Sequence, residues 1–553
     1  MNERVLRGAP ASPGLAAGHA RILPSPSAVS ARAPVAEDAL AEEAGRALAA
    51  LERAAAELER IAAGLRERGR AEDAEIVETG ALMAADPALE AEVATGVNVR
   101  RLPASEALLA AAEKHAAAIA ALPDPTLAAR ADDVRSLGRR AARIATGAGD
   151  EPSSNGSTFV LVADDLGPAD VAEHGERAIA IALSGGAVTA HAAIVARSLG
   201  IPMTVQAGAE LLAVADGSVI VVDGTGGEVV AEPAAERLQL AEAATRARAQ
   251  AHAKEVADSE LPAVTTDGRR VRVLVNAATG AEVAAGLAAG AEGAGLIRTE
   301  LAFLDAKSWP SRSEHTRMLE PLLASLGDST ATVRVLDFGG DKIPPFLRDE
   351  PRRGMELLLA HPGAFRAQLA AIASLGDRPG LRILLPLVRG PEDVRLTRAM
   401  LAAHAPALAL GAMIELPEAA GAARAIAAEC DFLSVGTNDL THATLGTDRF
   451  AQAEAPTHDP RVLRNIAAAA EAARAAGIPL EVCGEAASDP LTVPLLVGLG
   501  ADELSVGAAR VGSVRAWIRR LDHAATRELA AAALEAADAA AVERLARPLA
   551  PIG

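Results

Sequence analysis

The chain has 553 residues, which is too long for a single hydrophobic core and predicts about two to four domains. Its formal net charge of −19 argues against a nucleic-acid surface, and its two cysteines, Cys430 and Cys483, argue against a disulfide framework. We find no apolar run long enough to cross a bilayer and no apolar signal-peptide core, so we expect a cytoplasmic protein without membrane insertion.

The first 150 residues change periodicity. Residues 1 to about 25 are punctuated by Gly and Pro and predict short β structure. From about Val35 to Gly147, Leu, Ile and Ala recur at helical spacing, which predicts an antiparallel helical bundle. The predicted helices are Ala41–Leu65, Ala71–Met83, Ala104–Ala121 and Leu127–Thr146, with breaks at Pro87, Pro103 and Pro123.

From Ser157 the pattern becomes α/β, so we expect the bundle to be inserted into an α/β unit. This unit is predicted to contain strands at Thr158–Val162 and Ala178–Ala182, a helix at His191–Leu199, and a hairpin formed by Ser218–Val222 and Glu228–Val230. Residues 235–259 have a helical period and predict a long connecting helix.

The second half of the chain predicts a (β/α)8 barrel, because eight short apolar strands alternate with helical stretches. The predicted strands are Val271–Asn276, Gly295–Arg298, Val333–Leu336, Arg382–Pro386, Gly411–Glu415, Phe432–Val435, Leu480–Cys483 and Glu503–Val506. The fold class is therefore α/β multidomain. The domain bounds are 1–30 with 148–232 for the α/β unit, 31–147 for the inserted bundle, 233–260 for the linker helix and 261–553 for the barrel.

The α/β unit carries a candidate phosphoryl-accepting histidine. His191 follows the glycine-rich turn Gly185-Gly186 at a predicted helix start. Helix N-termini offer unpaired N–H groups, and glycines let the backbone approach an anion closely. A structural histidine is the competing interpretation of this segment alone.

Polar side chains follow nearly every predicted barrel strand, where barrels of this kind place their chemistry. Arg298 and Arg334 could hold phosphate oxygens through planar guanidinium groups, although rim ion pairs are the alternative. Glu415 and Asp439 supply the oxygen ligands that Mg²⁺ prefers. Together they predict a site for a metal-bound phosphorylated acid.

Three further residues complete this predicted site. Asn438 could donate to the phosphate from the loop that carries Asp439, and Arg449 could return to the site or remain a solvated charge. Cys483 ends the seventh strand, and we expect its thiol to face the barrel mouth and exchange a proton with a carbon centre. The alternative for Cys483 is a buried small hydrophobe, which is the role we expect for Cys430.

Six motifs in order give the chain a resemblance to enzyme I of the phosphoenolpyruvate:sugar phosphotransferase system over essentially its full length. They are Ala-Ser-Pro-Gly-Leu-Ala at 11–16, Gly-Gly-x-x-Thr-x-His with Ile-Val-Ala-Arg-Ser-Leu-Gly-Ile-Pro to 202, Gly-Ala-Gly-Leu-Ile-Arg-Thr-Glu at 293–300, Arg-Val-Leu-Asp-Phe-Gly-Gly-Asp-Lys at 334–342, Phe-Leu-Ser-Val-Gly-Thr-Asn-Asp-Leu-Thr at 432–441 and Val-Cys-Gly-Glu at 482–485.

The resemblance implies a role for each candidate residue. It implies that His191 is phosphorylated, that Cys483 is the acid/base residue, and that Glu415 and Asp439 hold Mg²⁺. The implied phosphoenolpyruvate ligands are Arg298, Arg334, Asn438 and Arg449. It further implies an α/β unit that swings between the barrel and the bundle, pyruvate as product, the phosphocarrier HPr as acceptor on the bundle, and a homodimer formed through the barrel.

The chain departs from the family pattern around these residues. Ala190 and Gly167 replace a usual Ser and Thr near the histidine, and Leu416 and His442 replace a usual Thr and Gln beside the metal carboxylates. Glu356 stands where an arginine is usual, and spacing alone does not say whether Arg352 or Arg353 compensates. These changes predict an altered rate or affinity with the chemistry retained.

Two other functions remain open. A pyruvate–phosphate dikinase relative would carry a large nucleotide-binding domain before the histidine, whereas about 180 mostly helical residues precede it here. A regulatory or scaffold paralogue would keep the fold without turnover, and the retained His191, arginines, carboxylates and Cys483 argue against it.

Overall fold

The computed structural model describes residues 3–550 except 24–33, 69, 123–129, 148–157, 176, 189, 340–342, 377, 403–404, 406 and 448–454. The chain forms two compact units, one comprising Met1–Glu67 and Ala71–Ala251, the other Arg68–Arg70 and His252–Ile552. The helix Ala235–Ala257 crosses the boundary between them. Within the described ranges, no helix is both long and apolar enough to span a membrane.

The first unit contains an eight-stranded mixed sheet with the strand order β1-β8-β7-β3-β4-β5-β6-β2. Its strands are Arg4–Arg7 (β1), Ala9–Ser12 (β2), Leu15–Ile22 (β3), Phe159–Ala163 (β4), Ala178–Leu183 (β5), Met203–Val205 (β6), Val219–Asp223 (β7) and Glu228–Ala231 (β8). β3, β4, β5 and β6 pair in parallel, and the helices Pro168–His174 and His191–Leu199 connect β4 to β5 and β5 to β6. The predicted hairpin is confirmed, with Asp223 paired to Glu228 across β7 and β8.

The helical bundle of this unit has five helices in the described residues, one more than predicted. They are Leu40–Glu67, Ala71–Ala84, Pro87–Asn98, Ala104–Ala120 and Ala131–Ala145. Pro87, predicted as a break, begins a helix. Asp86 accepts a hydrogen bond from the Ala88 amide at 2.8 Å, and proline suits a first helical turn. The last helix begins at Ala131, later than predicted, and residues 127–129 lie outside the described part of the chain.

The second unit is a closed barrel of eight parallel strands, in which β16 pairs with β9. The strands are Arg272–Ala277 (β9), Gly293–Arg298 (β10), Thr330–Arg334 (β11), Leu381–Leu385 (β12), Ala409–Ile414 (β13), Phe432–Gly436 (β14), Leu480–Cys483 (β15) and Glu503–Gly507 (β16). The α-helices of this unit are Gly280–Ala288, Arg312–Leu326, Gly354–Ala360, Pro362–Ser374, Pro391–Leu401, Pro417–Gly421, Ala423–Ala427, Thr437–Leu445, Pro460–Ala476, Thr492–Leu499, Val511–Ile518, His523–Leu534 and Ala539–Ala546. Short 3₁₀ helices in the two units are Glu37–Ala39, Ala209–Ala213, Leu301–Phe303, Pro345–Leu347, Glu485–Ser488 and Ala508–Arg510. The predicted fold class is confirmed.

The third barrel strand begins three residues earlier than predicted, because polar residues line part of the barrel interior. Arg382 Nε donates to the Thr332 hydroxyl at 2.6 Å, and Arg272 Nη2 donates to the Thr330 hydroxyl at 2.6 Å. Two carboxylates complete this layer, since Arg382 also donates to Glu481 at 2.9 Å and to Glu503 at 2.5 Å. Buried arginines need hydrogen-bond acceptors, and the hydroxyl groups of Thr330 and Thr332 supply them. Two threonines can therefore lie in a buried strand.

A buried histidine in the barrel unit predicts a pH-dependent stability. His315 has no solvent exposure, neither ring nitrogen has a hydrogen-bond partner among the described residues, and its ring packs 5.0 Å from Phe303. Burial lowers the pKa of His315 to about 4. Between about pH 6.5 and pH 4, His315 is therefore protonated in the unfolded chain and neutral in the folded chain. The free energy of unfolding falls by about 3 kcal/mol as the pH falls through this range.

The substitution His315→Leu should remove this dependence. Between about pH 7 and pH 5 the wild-type unit should lose about 2 kcal/mol more stability than the variant. Both tryptophans, Trp309 and Trp517, lie in the barrel unit, so urea unfolding followed by tryptophan fluorescence reports on it. Equal pH dependence in the two proteins would show that His315 is not the titrating group.

Candidate active site

His191 begins the helix that follows β5, and its side chain is held in one orientation. Its Nδ1 lies 3.1 and 3.2 Å from the two carboxylate oxygens of Asp133, a residue of the bundle helix Ala131–Ala145. The Asp133 side chain is 5% exposed and also pairs with Arg130 at 3.2 Å. Because a carboxylate accepts hydrogen bonds, the proton of a neutral His191 lies on Nδ1 and Nε2 keeps its lone pair.

Asp133 is not among the site residues predicted from the sequence. Asp132 and Asp133 are the usual acidic residues of a first helical turn, and the partner lies 58 positions away in the chain. The only indication in the sequence was a pair of adjacent aspartates at the start of a bundle helix, and this pattern does not show which residue they contact.

Buried ion pairs fix the helix that carries Asp133. Asp170, in the helix after β4, accepts from Arg140 Nη2 at 2.8 Å and from Arg143 Nη2 at 3.0 Å. Burial raises the pKa of Asp170, but the two arginines outweigh burial and hold that pKa well below its usual range. Since this pairing joins the bundle to the sheet of the same unit, it also fixes the position of Asp133 beside His191.

Two of the departures from the family pattern lie close to His191 and Asp133. Ala190 is the N-cap residue of the His191 helix and offers no side-chain hydrogen bond, so the replaced serine leaves this end uncapped by a side chain. A Cβ at Gly167 would overlap the Ser136 hydroxyl oxygen, and Ser136 lies one turn after Asp133. A threonine at Gly167 would therefore displace the helix that carries Asp133.

The barrel mouth brings Arg298 and Arg334 side by side, in register across β10 and β11. Two positive side chains placed opposite each other repel, so they need negatively charged groups close by. Arg334 Nη2 donates to Glu300 at 2.7 Å, and its Nη1 lies 3.3 Å from Asp337. Burial lowers the pKa of Arg334, but these carboxylates outweigh burial and raise it above its ordinary value. Nε of Arg334 and Oδ1 of Asp337 are buried without hydrogen-bond partners among the described residues, as expected where a polar ligand binds.

Glu415 and Asp439 lie at the same mouth, as the strand order predicts. Glu415 follows β13 and is 2% exposed, and one carboxylate oxygen accepts from the Leu387 amide at 2.6 Å. Burial raises the pKa of Glu415 to about 8, and the carboxylates of Asp337 and Asp439 add to the rise. Crowded carboxylates with a raised pKa fit a site that a divalent cation would neutralise. No group of three or more His, Cys, Asp or Glu side chains in the described part of the chain could hold a metal.

The loops after β14 and β15 fix Asn438. Its Oδ1 accepts a hydrogen bond from the Glu485 amide at 2.9 Å, and a Cβ at Gly484 would come within 2.7 Å of the same oxygen. Because Oδ1 is engaged, the side-chain NH₂ group of Asn438 is the part available as a donor. Arg449 lies outside the described residues.

Cys483 is buried at the base of the barrel mouth and not exposed there, and the charges of Glu415 and Arg334 are near enough to affect its pKa. Its side chain is 3% exposed and packs in an interior apolar layer, with Sγ 3.5 Å from both the Ser434 hydroxyl and the Val435 carbonyl. The other members of this layer are Leu296, Leu384, Met413 and Phe432. Cys483 shares the interior face of β15 with Glu481, two residues earlier, as strand alternation requires. Burial raises the pKa of Cys483 to about 12, so the group at neutral pH is a thiol.

Three family profiles match the chain in order: PEP-utilising enzyme, N-terminal, over 7–130; PEP-utilising enzyme, mobile domain, over 156–227; and PEP-utilising enzyme, PEP-binding domain, over 252–523. A Streptomyces coelicolor protein named phosphoenolpyruvate-protein phosphotransferase is 37% identical, with 98% of each chain covered. The chain belongs to this family, enzyme I. A Geobacillus stearothermophilus protein of the same name is 32% identical over 94% of each chain. An Escherichia coli K12 protein named phosphoenolpyruvate-dependent phosphotransferase system is 33% identical, with 96% of this chain and 74% of that protein covered.

The enzyme I resemblance drawn from the motifs is thereby confirmed. The mobile-domain match contains His191. The PEP-binding match contains the described barrel-mouth residues Arg298, Arg334, Glu415, Asn438, Asp439 and Cys483. Asp133 lies between the N-terminal and mobile-domain matches.

The remaining departures from the enzyme I pattern make different local contacts. Glu356 pairs with Arg389 at 3.3 Å, and both side chains are about half exposed or more. Leu416 packs against the barrel core, and His442 Nδ1 lies 2.9 Å from the Thr447 hydroxyl. Arg353 Nη2 lies 3.7 Å from Asp439 Oδ2. Of the two candidate arginines, Arg353 is therefore the one that approaches the carboxylate of Asp439.

Proposed function

We propose that the chain transfers the phosphoryl group of phosphoenolpyruvate to His191 and then to a histidine of HPr, releasing pyruvate. This would be the first step of sugar uptake by the phosphotransferase system. The observation that carries the proposal is the arginine pair Arg298 and Arg334, which retains an unused buried donor beside Glu415 and Asp439. Phosphoenolpyruvate, with a phosphate and a carboxylate, matches that arrangement of charge.

In the first step, His191 Nε2 attacks the phosphorus of bound phosphoenolpyruvate. The N–P bond forms, the P–O bond breaks, and its electron pair stays on the enol oxygen. Arg298, Arg334 and the Asn438 NH₂ group would stabilise the phosphoryl oxygens, since fixed donors act where charge develops. A Mg²⁺ ion held by Glu415 and Asp439 would offset further negative charge on the substrate.

In the second step, the enolate becomes pyruvate. Cys483 donates its thiol proton to the methylene carbon, and the thiolate regains a proton from solvent before the next turnover. Because burial raises the pKa of Cys483 to about 12, the thiol carries its proton before the reaction. Burial also makes it a weak acid, so the transfer relies on the strongly basic enolate carbon. Its buried position beside the Ser434 hydroxyl keeps the thiol in a fixed place.

In the third step, the histidine of HPr attacks phosphorylated His191. Asp133 would hold Nδ1–H in place while the N–P bond breaks and Nε2 regains its lone pair. The bundle is the proposed binding domain for HPr. The His191 helix contacts the bundle a second time, since Ser198 donates to Asp73 in the bundle helix Ala71–Ala84 at 3.0 Å, so an acceptor bound to the bundle would be close to the helix that carries His191.

The test is a steady-state assay with phosphoenolpyruvate, Mg²⁺ and HPr, in which pyruvate release and phosphorylated HPr are measured together. We expect equal amounts of both products from the wild-type protein and neither from His191→Ala. A chain that releases no pyruvate and phosphorylates no HPr, while folded, would instead be a regulatory or scaffold paralogue. Phosphorylation supported by ATP would favour the dikinase-like alternative.

A further inference from the structure

Arg353 lies at the barrel mouth, and among the residues that the structure describes no hydrogen bond holds its side chain there. It precedes the helix Gly354–Ala360, and its side chain is 41% exposed. Its Nη2 is 3.7 Å from Asp439 Oδ2, beyond hydrogen-bond distance, and its Nε is buried with no partner among the described residues. The guanidinium therefore contributes positive charge near Asp439, and none of its donors is bonded to another described residue.

The backbone around Gly339 makes room for this side chain. Gly339 has φ +154°, in a region that side chains rarely adopt. A Cβ at Gly339 would lie 2.9 Å from Cβ and 3.3 Å from both Cδ and Nε of Arg353. A glycine at this position allows the arginine stem to pass beside the segment that follows Asp337.

The neighbouring charged side chains are committed elsewhere. Arg352 donates from Nε and Nη2 to the two carboxylate oxygens of Glu350, each at 2.7 Å. Glu356, at the position where enzyme I usually has an arginine, pairs with Arg389. Arg353 is thus the arginine of the segment 350–356 that approaches the carboxylates of the mouth.

We infer that Arg353 is a further substrate-binding arginine of this chain and replaces the arginine that the family usually has at 356. The inference rests on the proposed function and deepens it. The ligand is a phosphorylated carboxylic acid, and the planar guanidinium donates to its carboxylate or phosphate oxygens. With Arg298 and Arg334 it gives the site three positive side chains for a substrate with as many as three negative charges.

The first experiment measures steady-state kinetics of Arg353→Gln and of the matched control Arg352→Gln. Loss of one charged hydrogen-bonding contact should raise KM for phosphoenolpyruvate by about 10- to 100-fold in R353Q, with kcat within about threefold of wild type. R352Q should keep both constants within about twofold, because its partner Glu350 lies outside the mouth. An unchanged KM in R353Q would overturn the inference, as would an equal rise in R352Q.

The second experiment separates this inference from the proposed function. Phosphoenolpyruvate binding is measured by calorimetry with Mg²⁺ in the His191→Ala background, where no phosphoryl transfer occurs, with and without R353Q. Weaker binding with R353Q supports the inference. Equal binding in the two proteins refutes the role of Arg353 and leaves the proposed function intact, whereas absence of binding in His191→Ala alone refutes the proposed function.

A third variant tests the replacement itself. Adding Glu356→Arg to R353Q should restore most of the lost affinity, because it returns an arginine to the position that is usual in the family. Both side chains at 356 and 389 are largely exposed, so the change should leave the fold intact. If KM remains as high as in R353Q alone, Arg353 does not stand in for an arginine at 356.

Discussion

Replacing Arg334 with glutamine should lower kcat/KM for phosphoenolpyruvate by about a thousandfold, the loss expected when a preorganised charged donor is removed from a transition state. Arg334 is the buried centre of the barrel mouth, paired with Glu300 and Asp337 and in register with Arg298. Glutamine keeps much of the side-chain length but removes the charge and the fork of donors. Pyruvate release at several substrate concentrations measures the effect.

Arg382→Gln is the matched control, because Arg382 is also a buried, ion-paired arginine of the barrel interior. Its partners Glu481 and Glu503 form a layer separate from the carboxylates that surround Arg334. Breaking this network should cost about 3–5 kcal/mol of stability and leave KM for phosphoenolpyruvate unchanged in the folded fraction. If R334Q and R382Q lose stability alike and neither loses substrate affinity, Arg334 is a structural ion-pair residue.

Replacing Cys483 with alanine should lower kcat for pyruvate formation by about 10²- to 10⁴-fold, the range for removing a positioned acid, while KM changes little. The thiol belongs to an interior apolar layer, and its pKa of about 12 keeps it protonated at every pH at which the protein would be assayed. Loss of activity in wild type at mildly alkaline pH would therefore have another cause than Cys483.

Cys430 supplies the control for this substitution. It is the other buried cysteine, lies in the main barrel core, and has a pKa that burial also raises to about 12. Cys430→Ala should keep kcat close to wild type and lose a small amount of stability. A second readout uses phosphoenolpyruvate that carries tritium at one of its two vinylic hydrogen positions, in heavy water: wild type should give a methyl group of a single chirality, and Cys483→Ala should give a racemic one. Stereospecific labelling by Cys483→Ala would show that another group delivers the proton.

The sequence predicted the architecture because short apolar strands and helical stretches alternate with a clear period. The sequence also predicted which residues lie at the barrel mouth, because the carboxyl ends of parallel barrel strands meet at one rim. It misplaced the start of β11, because threonines that bond interior arginines do not resemble an apolar strand. It also missed the helix Pro87–Asn98, because proline stops one helix and can begin the next.

Contacts between distant segments account for what sequence reasoning could not supply. The Asp133–His191 pair joins two elements whose docking depends on buried ion pairs around Asp170. Whether Arg352 or Arg353 approaches the barrel mouth depends on which of the two forms an ion pair with Glu350. Strand alternation places Cys483 on the same interior face as Glu481, but its burial depends on apolar side chains from other strands, such as Leu384 and Phe432.

The experiment that tests the proposed function most simply is to identify the residue that receives the phosphoryl group in a single transfer. The purified protein is incubated with phosphoenolpyruvate and Mg²⁺, and phosphate is located by mass spectrometry under conditions that preserve acid-labile phosphohistidine. Parallel samples contain His191→Ala and wild type with ATP. We expect one acid-labile phosphate on His191 that depends on phosphoenolpyruvate and is absent from both parallel samples. A folded wild-type protein that acquires no phosphate, or acquires it on a residue other than His191, would contradict the account.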